Sequence, residues 1–295
     1  MKKHFSSMIL SMIIIAGLSL LLYPSISDYW NMFHQSRSIA QYTEAVDQLG
    51  EEEKEQMRKA AEAYNEALKQ KPNRWELSEE EYKEYESLLD VSGTGIMGYI
   101  EIPGLQVAIP IYHGIDQEIL QIAVGHIEGT SLPIGGLGTH SVISGHRGLK
   151  SAKLFTDLDQ LAEGDIFKLS VLGETLTYQI DQIHIVLPEE LNDLQIEENK
   201  DYCTLLTCTP YGVNTHRLLV RGHRIANEEE AMLLMQDAEV VPPLQEAAIV
   251  MVLLLAIYIL LKIFGRRVNW DYMFDRLATK IRSGIYENHK KSKQK

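Results

Sequence analysis

Three groups in this chain have the types and spacing to do chemistry together: a thiol, an imidazole and a guanidinium. Cys208 closes the run Thr204-Leu205-Leu206-Thr207-Cys208 and is followed by Thr209-Pro210-Tyr211-Gly212. Arg217 comes nine residues after it, and Ser144-Gly145-His146-Arg147-Gly148 lies upstream. A nucleophile, an acid/base and an oxyanion-stabilising cation are what acyl transfer through a thioester requires.

Each group has a plainer explanation. A cysteine on an apolar strand is usually a small buried hydrophobe. Cys208, however, ends its strand at a loop-forming run, which makes it accessible yet rigidly held. Cys203 lacks that setting and reads as core. The two are the only cysteines in the chain. Five residues apart on one strand they point to opposite faces, so a disulfide between them would be badly strained and a free thiol remains. No Cys/His spacing suggests a zinc site. Of ten histidines, His146 differs because it follows the strand-like Ser141-Val142-Ile143-Ser144 at the flexible Gly145. Arg217, Arg221 and His223 share one face of the last strand and Arg224 the other. Periodicity does not choose between Arg217 and Arg221.

These residues belong to a chain built for the outside of a membrane. Two apolar runs, 5–23 and 244–264, approach the ~20 residues needed to span the hydrocarbon. Lys2 and Lys3 precede the first, and Arg266 and Arg267 follow the second. The positive-inside rule then makes residues 1–4 and 265–295 cytoplasmic and 24–243 external. A cleaved signal peptide competes for the first run, with Ser25-Ile26-Ser27 as a weak cleavage site. The net charge is −13, but the tail from Lys262 is +7 and residues 4–261 carry −22. An acidic exterior argues against nucleic-acid binding. The basic tail suits topology and anionic lipid.

About 200 residues remain outside the apolar runs, enough for one real core. The spacing of Met57, Ala60, Ala61, Tyr64 and Leu68 predicts an amphipathic helix over 51–70, within a helical region 24–90. This region is either a stalk that lifts the domain or a face that packs on it. The apolar run should end at Pro24. A shorter helix is expected over 77–89, with Ser78 as N-cap and Glu81 completing a capping box. Beyond Gly98 the texture becomes β-rich. Strands are expected at 98–102, 107–112, 141–144, 166–171, 175–187, 202–208 and 217–225, with short helices at 116–123 and 151–161. Many strands and few helices imply a mainly β domain closed, or nearly closed, into a barrel. A linker, 227–243, leads to the second apolar run.

Over residues 96–224 the chain resembles the sortases, membrane-anchored cysteine transpeptidases of Gram-positive bacteria. Thr204-Leu205-Leu206-Thr207-Cys208 matches their Thr-Leu-x-Thr-Cys signature, and Arg217 and His146 occupy the positions of the family's essential arginine and histidine. The pilus-assembling class C is most similar. Gly98-Tyr99-Ile100-Glu101-Ile102-Pro103, Ile109-Pro110-Ile111-Tyr112-His113-Gly114 and Lys153-Leu154-Phe155-Thr156-Asp157-Leu158 carry that likeness, with Thr215 through Arg224 and the second apolar run.

The resemblance implies a sortase-type barrel of about eight strands over 91–226. It assigns Cys208 as nucleophile, His146 as acid/base and Arg217 as oxyanion partner, with no cofactor or metal. It also implies cleavage of a Leu-Pro-x-Thr-Gly-like sorting signal between Thr and Gly, and joining of the Thr carboxyl to a Lys amine of a pilin. Class C members often carry an Asp-Pro-aromatic lid. Here Asn73-Arg74-Trp75 stands in its place, so no carboxylate reaches from the lid to Arg217. Trp75 is either a cover for the cysteine or an ordinary packing aromatic.

Other functions compete. A sortase that anchors surface proteins to peptidoglycan would use the same chemistry with another amine. A cysteine hydrolase would want an Asn or Asp on its histidine rather than a paired arginine. A non-catalytic two-pass membrane scaffold leaves the Cys/His/Arg set to coincidence.

Overall fold

The computed structural model describes residues 2–227, with side chains from residue 15 onward. From Leu18 the described residues form one compact unit. Among the described residues no helix is long and apolar enough to cross a membrane. The apolar run 5–23 opens helix α1, mostly ahead of the described side chains, and the segments 244–264 and 265–295 lie outside the described residues.

Three helices lead into the barrel. Helix α1 (Lys2–Gln48) continues through Pro24, where the apolar run ends. A proline fixes a helix-compatible φ, and helix-forming residues on both sides carry the chain through. Helix α2 (Glu51–Lys69) begins at Gly50, whose N–H donates to Glu53 Oε2 at 2.9 Å. Helix α3 (Glu79–Ser87) has the expected capping box, with Ser78 Oγ accepting from Glu81 N and Glu81 Oε2 from Ser78 N.

The helical region is no free stalk. Tyr42 of α1 is buried against the barrel, donating its hydroxyl to Met97 O at 3.0 Å and accepting from Leu172 N at 2.9 Å. Burial pushes its pKa up to about 12. Asn65 of α2 exchanges two hydrogen bonds with the Leu132 backbone. Tyr85 of α3 is fully buried in the main core.

Eight strands close the barrel: β1 (Ile96–Ile102), β2 (Val107–His113), β3 (Val124–His126), β4 (Thr139–Ser144), β5 (Ile166–Val171), β6 (Glu174–Val186), β7 (Asp201–Thr209) and β8 (His216–Ile225). The order around it is β1-β2-β3-β4-β7-β8-β6-β5. β2–β3 and β4–β7 are parallel and the other pairs antiparallel. A parallel neighbour requires a crossover. The short helix α4 (Gln117–Leu120) lies within the first, and the second contains the β5–β6 hairpin, which closes on β1. Inward residues such as Ile100, Ile111, Ile143, Phe167, Leu205 and Val220 fill one apolar core.

Two expectations fail locally. β3 was not expected, since three residues are too few to show a period. Residues 151–161 are turns with a 3-10 segment only at Leu158–Gln160, not a helix. The backbone there bonds to distant groups instead: Lys153 N donates to Asp28 Oδ1 at 2.7 Å, and Ser151 O accepts from Ser27 Oγ and Asn31 Nδ2.

Candidate active site

The site forms on the outer face of three adjacent strands, β4, β7 and β8. Across the antiparallel β7–β8 ladder, Cys208 lies opposite Arg217, Leu206 opposite Leu219 and Thr204 opposite Arg221. Directly opposed residues share a face, with Cβ atoms about 5 Å apart. The alternate positions Cys203, Leu205, Leu218 and Val220 point into the core. Cys208 and Arg217 are both part-exposed, at the end where the strands give way to the loop between them.

His146 reaches this row from the other side. β4 runs parallel to β7 with Ser144 beside Leu206. The pairing continues one residue further, because Gly145 N donates to Leu206 O at 3.0 Å and Thr207 Oγ1 donates to Gly145 O at 2.7 Å. His146 follows Gly145 on this side as Cys208 follows Thr207 on β7. Gly145 is required by packing: a Cβ there would lie 2.7 Å from Phe155 Cδ2 and 2.8 Å from Val124 Cγ1. Beyond the histidine, Arg147 donates to Thr209 Oγ1 at 3.2 Å and pairs with Asp159. This clamps the histidine loop to the residue after Cys208. Partial burial lowers the His146 pKa, which favours the neutral imidazole.

Tertiary structure separates the two arginines that periodicity left equal. Arg221 donates to both oxygens of Asp181, Nε at 2.9 Å and Nη2 at 3.1 Å, and its guanidinium lies 4.2 Å over the Tyr202 ring. It is a satisfied structural ion pair. Arg217 bonds only to carbonyls of its own loop, Asn214 O and His216 O, and no carboxylate pairs with it among the described residues. Its charge is therefore available beside Cys208. Cys203 is fully buried, and burial pushes its thiol pKa well up. It packs in the main core.

A sortase-domain family profile matches residues 100–225. Sortase C1 of Streptococcus agalactiae is 51% identical in structural alignment, which covers 65% of this chain and 99% of that one with a TM-score of 0.63. The chain belongs to the sortase family. Sortase C of Streptococcus pneumoniae, whose structure bears on pilin substrate specificity, is 45% identical over 64% of this chain and 97% of its own, with a TM-score of 0.59. Sortase C of Clostridium perfringens, solved with a C-terminal cell wall sorting motif, is 43% identical over 65% and 99%, with a TM-score of 0.58. Sortase D of Bacillus subtilis is 28% identical over 131 residues, 43% of this chain and 63% of that protein, and sortase A of Streptococcus agalactiae is matched over 52% of its length. The chain thus spans between about half and two-thirds of the curated relatives it matches.

In this sortase the segment 73–75 lies on the same outer face as Cys208. Trp75 packs with Val142, Leu194 and Leu219, an apolar floor that Leu206 and Val186 extend. Leu206 and Leu219 form the cross-strand pair next to Cys208 and Arg217 on that face, so the indole packs on the same apolar patch that borders the Cys208–Arg217 pair. Asn73 Oδ1 accepts from Trp75 N at 3.3 Å, within its own turn.

The anchor of this segment is Arg74, which sequence reasoning passed over. It is buried, donates to Gly129 O at 2.8 Å and Leu194 O at 2.6 Å, and stacks on Trp75 with its guanidinium 4.2 Å from the ring centroid. Gly129 must be glycine there, since a Cβ would meet Arg74 O at 2.1 Å. The partners of Arg74 lie 55 and 120 residues away, which leaves no local signal in the sequence.

Two further histidines are buried and structural. His126 Nε2 faces Ser131 O at 2.8 Å, an atom that can only accept, so Nδ1 is left to accept from Tyr85 Oη at 2.9 Å. By the same argument His140 Nδ1 donates to Gln195 O and Nε2 faces Thr204 Oγ1. Desolvation lowers their pKa values to about 3 and about 4. No group of three metal-ligating side chains occurs among the described residues.

Proposed function

We propose that this chain is a membrane-held class C sortase that joins pilin subunits by cysteine transpeptidation. One arrangement supports the reading above all: Cys208 opposite Arg217 across β7–β8, with His146 two residues past the end of β4, the parallel neighbour of β7, beside an apolar patch. The substrate is a secreted protein with a Leu-Pro-x-Thr-Gly-like C-terminal sorting signal.

Neutral His146 takes the Cys208 thiol proton, the resulting thiolate attacks the Thr carbonyl carbon, and the C=O electron pair moves onto oxygen. Arg217 donates to that oxyanion with a charge that persists at any working pH. As the tetrahedral species collapses, the C–N bond breaks and the His146 imidazolium gives its proton to the leaving Gly nitrogen. A thioester on Cys208 and a neutral His146 remain. Burial disfavours the charged imidazole, so His146 releases its proton readily. It then accepts one from the incoming Lys amine of the next subunit. The amine attacks the thioester carbonyl, Cys208 leaves as thiolate, and an isopeptide bond forms. The apolar floor beside the thiol limits competing water.

Two further parts belong to the reading. Trp75, held by Arg74 and turned by Asn73, acts as a lid that the sorting signal displaces from the apolar patch. The apolar runs 5–23 and 244–264 cross the membrane with both termini cytoplasmic, supported by the placement of Lys2, Lys3, Arg266 and Arg267. Peptidoglycan anchoring would differ only in the accepting amine. Likeness to sortases C, one bearing on pilin specificity, favours the pilin lysine.

The test is an intact-mass experiment on the full chain in detergent with a Leu-Pro-x-Thr-Gly peptide, followed by a pilin lysine donor. An adduct on Cys208, absent in Cys208→Ala and converted by the donor to an isopeptide product, is the expected result. An adduct released only by water or by a peptidoglycan amine would sink the pilin assignment.

A further inference from the structure

Helix α1 carries an apolar stripe that the barrel does not cover. Its barrel-facing positions are Ser27, Asp28, Asn31, Gln35 and Tyr42, each hydrogen-bonded to the barrel domain. At 100° per residue, Ile26, Tyr29, Trp30 and Phe33 point to the opposite side. They are 62%, 69%, 64% and 57% exposed. A run of four large exposed apolar side chains, three of them aromatic, on one helix face marks an interaction surface.

We infer that this stripe seats in the lipid headgroup layer and fixes the barrel directly on the bilayer surface. The inference rests on the membrane-held reading proposed above. Three observations choose lipid as the occupant. The stripe continues without interruption, in the same helix, from the apolar run 5–23. Its composition is that of a membrane-interface belt, where Trp and Tyr concentrate because one end of the ring is apolar and the other polar. It begins about 5 Å of helix beyond that run, within the roughly 5–8 Å headgroup zone on one side of a bilayer.

Beyond Phe33 the outward face changes character. It presents exposed Arg37, then exposed Glu44 and Asp47. An arginine at the boundary with acids only further out is the order expected for a helix leaving an anionic surface. Exposed Lys150 lies at the level of the stripe, because the next residue, Ser151, accepts hydrogen bonds from Ser27 and Asn31. The 149–153 loop follows His146 directly. The histidine side of the active site is therefore held close to the membrane, and α1 acts as a short clamp rather than a spacer.

The experiment uses the full chain with Trp75→Phe and Trp270→Phe, leaving Trp30 as the single tryptophan. The protein is reconstituted into phosphatidylcholine/phosphatidylglycerol vesicles carrying bromine at a shallow or a deep acyl position. Trp30 emission should shift to the blue, and shallow bromines should quench it more strongly than deep ones. The control Trp30→Phe with Trp270→Phe, which retains only Trp75, should be quenched by neither. Vesicle flotation with unquenched, water-accessible Trp30 would overturn the inference while leaving membrane anchoring intact. Failure to float would overturn anchoring and the inference together. Shielding of Trp30 that appears only on adding a substrate protein would assign the stripe to a protein partner and overturn it as well.

Discussion

Cys208 and Arg217 are direct partners across the β7–β8 ladder. The cation beside the Cys208 thiol is therefore fixed by strand register, not by a mobile loop. Arg221, two positions along the same face, is bound instead to Asp181. Arg217→Lys should then lower kcat by about 10²–10³, the scale of losing one oxyanion donor, with little change in melting temperature. Arg221→Lys should do the reverse, lowering stability and sparing turnover. Steady-state rates and thermal melts of both variants decide; an active Arg217→Lys beside a dead Arg221→Lys would show the roles to be exchanged.

The two thiols should separate cleanly. Cys208→Ala is expected to abolish the peptide adduct. Cys203→Ala should keep it, because Cys203 is buried and its raised pKa holds it as thiol. Intact mass after exposure to a sorting peptide reports both, and a surviving adduct in Cys208→Ala would remove the nucleophile assignment.

Gly145 tests the mounting of the histidine. A methyl group there would collide with Phe155 and Val124. Gly145→Ala should displace His146 and reduce transpeptidation more than tenfold, the scale on which misplaced catalytic groups act. Alkylation of Cys208 by a small haloacetamide should persist, since the thiol itself stays in place. Loss of alkylation along with turnover would point to collapse of the whole site.

Arg74 tests the cover. Arg74→Ala leaves the carbonyls of Gly129 and Leu194 without their donor, at a cost of about 1–3 kcal/mol. The Trp75 segment should loosen, and Cys208 should react faster with a bulky thiol reagent. An unchanged labelling rate in a destabilised protein would mean that Trp75 only packs.

The buried histidines predict acid sensitivity. In the unfolded chain His126 and His140 titrate near the ordinary histidine value of about 6.5. In the fold they titrate at about 3 and about 4. The unfolded state thus binds more protons between those values, and stability falls as pH drops from about 6.5 toward 4. The slope is at most about 1.4 kcal/mol per pH unit for each histidine. Denaturant midpoints measured across that range should show the loss, and His140→Gln should flatten the profile.

The sequence by itself determined what depends on near neighbours. Seven of the eight strands show as β-rich runs bounded by Gly, Pro or Asn, and the cap of α3 is written in Ser78 and Glu81. Cys208 stands out because a nucleophile at a strand end followed by a loop is a local pattern. The choice of Arg217 and His146 rested on likeness to a family. In the tertiary structure Cys208 pairs with Arg217, Asp181 takes up Arg221 and β4 runs alongside β7. It alone decided that 151–161 is not helical and that Arg74 pins the Trp75 segment. Those outcomes depend on hydrogen bonds between residues 40 to more than 120 positions apart. Period and propensity describe only what a residue's near neighbours favour, so partners at that distance become visible only when the barrel closes.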